Sequence, residues 1–347
     1  MSDMLFEVRD LKCYFKSGKK TVKALDGVSF GIYKGETLSI VGESGCGKTT
    51  CARTLLSVYT PTEGAVIWNG KDTASLSRTE RTTFRKENQM VFQDPYACLN
   101  PRMTVSEIIG EGMKRHFSYS GEKRQKIINE LLETVGLTAE YASRFPHELS
   151  GGQRQRIGIA RALALEPECL VCDEPVAALD VSIQAQIINL LMRLQAERNL
   201  TYLMISHDLT MVRHISDRIA VMYLGVIVEL SDAEALYENP LHPYTKALFS
   251  AIPQAEPESD WLKHRVPLLG EVPNPINPPS GCKFCERCPY VMERCRKEAP
   301  QLQEQEEGHF VACWKSVRST SSHSQQRLCR GESTGFALQI HLTQENA

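Results

Sequence analysis

A short apolar run, Thr37-Leu38-Ser39-Ile40-Val41, passes directly into Gly42-Glu43-Ser44-Gly45-Cys46-Gly47-Lys48-Thr49-Thr50. Glycines at this spacing let the backbone turn with positive φ and bring its N–H groups close to a bound anion. A buried strand, a glycine loop and a following helix, read over 49–59, form one unit of an α/β sheet. Phosphate then sits at the helix N-terminus, where the dipole and free N–H groups favour negative charge. Lys48 is placed to bind β and γ phosphates, and the Thr49 hydroxyl to ligate magnesium. A glycine-rich turn alone is common; framed by strand and helix, it points to a nucleoside triphosphate.

The remaining pattern supplies the sheet that such a unit needs. Residues 22–33 alternate as a half-buried antiparallel strand does, and 64–70 read as a strand ending in an Asn-Gly turn. Over about 106–136, Ile127, Ile128, Leu131, Leu132 and Val135 recur at helical spacing, so an α-rich insertion interrupts the strands. Leu149-Ser150-Gly151-Gly152-Gln153 then opens a helix over 153–165. Strands follow at 168–173 and 201–206, with a helix at 181–198 between them. Alternating strands and helices predict an α/β core.

Asp173 ends the apolar run Cys169-Leu170-Val171-Cys172, at the strand edge where open α/β sheets bind ligands. From there Asp173 reaches magnesium through water, and Glu174 is placed to act as general base on the attacking water. Gln93 and His207 each follow a short apolar run. Either alone could be a loop-capping residue, and what singles them out is order: phosphate loop, Gln93, Ser150 to Gln153, Asp173-Glu174, Asp180, His207.

These strings in this order resemble the ATP-binding-cassette family of ATPases, over roughly residues 5–250. The resemblance implies a RecA-like P-loop ATPase core with an antiparallel β subdomain and an inserted helical subdomain. It implies ATP and Mg²⁺ as ligands, and two such domains closing head to tail. Ser150, Gly151, Gly152 and Gln153 would then face the nucleotide held by the partner. By the same likeness Gln93 senses magnesium and water, His207 binds the γ-phosphate, Asp180 couples the two sites, and Phe15 (or the adjacent Tyr14) stacks on adenine. Ala177-Ala178-Leu179-Asp180 departs from the family's usual Ser before Ala-Leu-Asp, which removes a hydroxyl at the dimer interface and no catalytic group.

Past residue 235 the chain is similar to the peptide and nickel importer subunits of that family. Asn239-Pro240-Leu241-His242-Pro243-Tyr244-Thr245-Lys246-Ala247-Leu248 carries the likeness, with Cys282, Cys288, Cys295 and Cys313. This implies ATP-driven import of oligopeptides or dipeptides through two separate transmembrane permease subunits contacted by residues 94–105. An extracytoplasmic binding protein and a second ATPase subunit, identical or different, complete the system. Import of nickel or another small solute, and a non-transport role within the same family, are the alternatives.

The expected organisation is a nucleotide-binding domain over 1–230, with its helical subdomain at about 95–165. A proline-rich extension follows over 231–280, then a cysteine-rich module over 281–315 and a polar, disordered tail over 316–347. Five of twelve cysteines fall in the module, with Cys285 creating Cys282-x-x-Cys285-x-x-Cys288. Clustering of this kind points to metal before disulfide in a reducing cytosol. The resemblance favours an iron–sulfur cluster, zinc with His309 as a spare ligand is the second reading, and free thiols the third. Cys46, near a helix N-terminus, is expected to be a reactive thiolate whose alkylation blocks activity, with a small side chain chosen for fit as the alternative.

Bulk properties exclude other classes. A net charge of -2 leaves no basic footprint for nucleic acid. No apolar run of roughly 18 residues occurs, and the first residues lack the basic and apolar segments of a secretory signal. The expected place is the cytoplasmic face of the cell membrane, held there by partners.

Overall fold

The computed structural model describes residues 3–177, 179–252, 270 and 273–316. Residues 253–269 of the proline-rich extension, Ala178 and 317–347 of the tail lie outside the described residues.

Two long strands, β1 (Met4–Ser17) and β2 (Lys20–Tyr33), pair antiparallel through several bulges. The buried β3 (Thr37–Val41) follows, then the glycine loop and α1 (Lys48–Leu55). The helix stops short of residue 59 because Ser57 takes a left-handed φ of 55° and the Val58 N–H turns back to the Arg53 carbonyl. β4 (Glu63–Trp68) pairs with β1 and hairpins into β5 (Lys71–Asp72). Asn69 and Gly70 between them both have positive φ, 46° and 77°, which the tight hairpin turn requires. The four strands form a sheet in the order β2-β1-β4-β5.

α2 (Arg78–Glu87) is fixed at its start by a Ser77–Glu80 capping box and leads to β6 (Asn88–Val91). The helical insertion comprises α3 (Pro95–Cys98), α4 (Val105–His116), α5 (Gly121–Thr134) and α6 (Gly151–Leu163). Ile108, Ile109, Met113, Ile128, Leu131, Leu132 and Ile157 bury its facing sides. β7 (Cys169–Asp173), α7 (Val181–Arg198), β8 (Thr201–Ser206), α8 (Leu209–Ile215), β9 (Arg218–Tyr223) and β10 (Val226–Asp232) complete the α/β part. α9 (Ala233–Glu238), α10 (Pro243–Ser250), α11 (Glu293–Lys297), β11 (Gln303–Glu306) and β12 (His309–Val311) follow.

The main sheet runs β11-β12-β10-β9-β3-β8-β7-β6, with β3 flanked in parallel by β8 and β9. Its residues alternate between two cores. Leu170, Cys172 and Met204 face the helices, while Leu38, Ile40, Val171 and Ile205 face α1 and the antiparallel sheet. Burial on both faces explains why these strands read as continuous apolar runs.

The stretch 281–315 is more than an appendage to that core. Its β12 pairs with β10, Glu229 opposite Val311 and Leu230 opposite Phe310, so it extends the ATPase sheet. The expected boundary at residue 230 falls inside β10.

Candidate active site

The glycine loop wraps the N-terminus of α1. Gly47 is its N-cap with φ 112°, and a Cβ there would lie 2.4 Å from the Ala24 carbonyl oxygen. At Gly42 a Cβ would meet the Met222 carbonyl oxygen at 2.2 Å, so both positions exclude a side chain through backbone contact. Ser44 and Gly45 are exposed at the crest, whereas Lys48 is only 5% exposed. Its Nζ donates to the carbonyls of Gly42 at 2.8 Å and Glu43 at 3.1 Å. The Thr50 carbonyl accepts the Thr54 hydroxyl at 2.7 Å, inside α1.

The Thr49 hydroxyl donates to Asp173 Oδ1 at 3.0 Å, joining the start of α1 to the end of β7. Burial pushes the Asp173 carboxyl up from its ordinary range, partly offset by the Thr49 hydrogen bond. A buried carboxylate beside a hydroxyl is a hard-oxygen donor set, and it fits Mg²⁺. Glu174 follows in a left-handed conformation, φ 47°, pinned by its N–H to the Ile205 carbonyl at 2.9 Å. Its Oε2 receives Gln93 Nε2 at 2.9 Å and lies 3.3 Å from His207 Nδ1. Three residues taken from the ends of β6, β7 and β8 thus meet at one carboxylate. Gln93 uses its amide nitrogen on Glu174.

Phe15 stacks edge-on against Tyr59, ring centroids 5.2 Å apart. Tyr14 is otherwise engaged, its hydroxyl donating to Asp26 Oδ1 at 2.5 Å. Ser150 N-caps α6 in a reciprocal box with Gln153, donating its N–H to Gln153 Oε1 at 2.9 Å. A Cβ at Gly152 would lie 2.6 Å from Ile183 Cγ2, so a side chain there would require Ile183 to move. Among the described residues no hydrogen bond joins 150–153 to the glycine loop, and Ser150 and Asp180 are both exposed. Asp180 N-caps α7 without a side-chain hydrogen bond.

Two expectations about cysteine are corrected. Cys46 is 2% exposed, and burial pushes its thiol up despite the nearby Lys48 charge, so it is no poised thiolate. Cys282, Cys285, Cys288, Cys295 and Cys313 line one narrow cavity, and burial pushes the Cys282 thiol up to about 12. Among the described residues, however, no three His, Cys, Asp or Glu side chains gather as a ligand set. As arranged, these thiols form no ligand set for an iron–sulfur cluster or zinc.

The glycine loop is also held from outside, by residues that motif spacing does not reveal. Arg287 donates two hydrogen bonds to Glu43, to Oε2 at 2.7 Å and Oε1 at 3.1 Å, and the Tyr244 hydroxyl accepts the Glu43 N–H at 3.0 Å. Both partners come from the C-terminal region. The acidic residue in an otherwise small-residue loop was the one sequence signal that a cation had to lie near.

Residues 25–177 match the ABC transporter family, and residues 228–295 match the oligopeptide/dipeptide transporter C-terminal region. The putative oligopeptide transport ATP-binding protein YkfD of Bacillus subtilis is 58% identical, covering 89% of this chain and 94% of that protein. The oligopeptide transport ATP-binding protein OppF of Escherichia coli is 50% identical, covering 89% and 93%. A dimeric ATP-binding cassette in a post-hydrolysis state bound to ADP and Pi superposes with TM-score 0.61 at 32% identity, covering 66% of this chain and 98% of that one. With its phosphate loop, its Asp173–Glu174 edge and these relatives, the chain belongs to the ABC transporter family of ATPases and carries the C-terminal region of the oligopeptide and dipeptide transporters.

Proposed function

We propose that this chain hydrolyses ATP to drive import of oligopeptides or dipeptides through separate membrane permeases, with Glu174 as general base. The observation that carries the reading is the meeting of Gln93 and His207 on one oxygen of Glu174, beside the Thr49–Asp173 pair. Lys48 exchanges the carbonyls of Gly42 and Glu43 for β- and γ-phosphate oxygens. Thr49 and Asp173, with Gln93, would hold Mg²⁺, which when bound would offset the charge of the triphosphate. Gln93 orients the attacking water, His207 binds the γ-phosphate, and Glu174 takes the water's proton as its oxygen bonds to the γ-phosphorus and ADP departs. Phe15 packs on adenine, for which the engaged Tyr14 hydroxyl leaves it the better candidate.

Hydrolysis in this scheme needs a second ATPase subunit, of the same or another sequence. Ser150, Gly151, Gly152 and Gln153 present the open N-terminus of α6 to the partner's nucleotide, and Asp180 links the two sites. Peptide as cargo follows from likeness to proteins named for oligopeptide transport. So do the two permease subunits, the extracytoplasmic binding protein and a position at the cytoplasmic face of the membrane.

The test is uptake of a radiolabelled tripeptide by cells lacking this subunit. Uptake should return with the wild-type gene and stay absent with Glu174→Gln. Restored nickel uptake with no change for the tripeptide would refute the cargo while leaving the ATPase untouched.

A further inference from the structure

Between the phosphate loop and the cysteine-rich turn lies a built contact that the hydrolysis scheme does not use. The Arg287 side chain is only 5% exposed, yet it reaches Glu43 in the loop crest with two hydrogen bonds. It is seated on aromatic rings. Phe284 packs against Tyr223 and Tyr244, ring centroids 5.3 and 5.5 Å apart, and all three are fully buried. Tyr244 adds the second hold by accepting the Glu43 N–H. Four residues before Arg287, Lys283 pairs with Asp26 at 2.8 Å, and Asp26 in turn receives the Tyr14 hydroxyl. One turn of the C-terminal region therefore grips the phosphate loop and β2, which Asp26 ties in turn to Tyr14 on the strand that carries Phe15.

We propose that this turn braces the nucleotide site, with Arg287 and Tyr244 as positioning residues that hold Glu43 and so preset the phosphate loop for MgATP. The inference rests on the nucleotide reading of the loop. Its physical basis is preorganisation. A loop whose binding-competent shape is only partly populated binds more weakly by that fraction, with the chemical step unaffected once the ligand is in place. The fork of Arg287 matches the carboxylate in two bonds, which a lysine ammonium cannot do. The pair also neutralises a carboxylate that would otherwise face the incoming triphosphate.

The experiment measures Kd for a fluorescent ATP analogue and KM and kcat for MgATP hydrolysis, using the full-length protein. Arg287→Met should raise Kd and KM together by about tenfold, with kcat at saturation within about twofold. Arg287→Lys should recover only part of the loss. Tyr244→Phe deletes one hydroxyl and keeps the buried ring; it should raise Kd and KM by about threefold. Combined with Glu43→Gln, Arg287→Met should add little further, because the two residues act as one pair. If Tyr244→Phe folds as the wild type and both its Kd and KM are unchanged, the brace is refuted, whether or not Arg287→Met folds. A fall in kcat with Kd constant would refute it equally. Lys48→Ala is the control: retained nucleotide affinity in that variant would overturn the nucleotide reading itself.

Discussion

His242 offers the sharpest physical test of how the C-terminal segment is held. It is 1% exposed, and burial pushes its imidazole down from 6.5 to about 4, outweighing the pull of Glu229. Its Nδ1 accepts the Tyr244 N–H at 3.0 Å and so caps α10. A protonated imidazole has donors on both nitrogens, so protonation turns this acceptor against the N–H it faces. The unfolded chain binds the proton below pH 6.5, whereas the folded one resists it down to about 4. Above pH 6.5 the residue therefore costs nothing; as pH falls through the window between the two values, the folded state loses ground, and below about 4 the penalty is constant. From about pH 7.5 to about pH 4.5 the loss amounts to about 2.5 kcal/mol. His242→Asn keeps an oxygen acceptor at the cap and removes the titration. Urea unfolding of both proteins across this range should show their stability difference moving toward the variant by about that amount. A difference that stays flat with pH would refute the reasoning, since every other titrating group is common to both.

Glu174→Gln should bind MgATP, accumulate the closed dimer on size-exclusion chromatography, and lose turnover by about 10²–10⁴-fold, as removal of a general base does; full turnover would remove Glu174 from that role. Gly47→Ala places a methyl 2.4 Å from the Ala24 carbonyl oxygen, so titration with MgATP should show at least about tenfold weaker binding. Because the Cys46 thiol is buried and pushed up, maleimide should inhibit Cys46→Ala and wild type equally, and mass spectrometry should find Cys46 unmodified at short times.

Local chemistry made much of this molecule legible. The strand into Gly42, the Asn69-Gly70 turn and helix α7 each carry their own instructions in adjacent residues: apolar runs, left-handed glycines and an i, i+3, i+4 face. Glu174, Gln93 and His207 could be ordered along the chain, although their meeting depends on the lateral order of β6, β7 and β8. What could not be read is tertiary in origin. Tyr244 lies 201 positions and Arg287 244 positions from Glu43 in sequence, and neither sits in a pattern that announces its partner. Cys46 has the neighbours of a reactive thiol, but its reactivity is governed by burial against distant strands. β11, Gln-Glu-Gln-Glu, has no apolar alternation to mark it as a strand, because it lies at the sheet edge and buries no full face.

The outer hairpin of β11 and β12 gives the C-terminus a duty beyond anything its cysteines do. His309 closes on Glu229 at 2.7 Å, and Glu229 also accepts the N–H groups of Leu241 and His242, so a fully buried carboxylate depends on a residue eighty positions later. A chain cut back to its nucleotide core would leave that acid orphaned and a row of β10 backbone groups unmet, open to pairing with any extended peptide nearby. The hairpin instead moves the sheet's edge outward to β11, a four-residue strand whose Gln and Glu side chains disfavour such pairing.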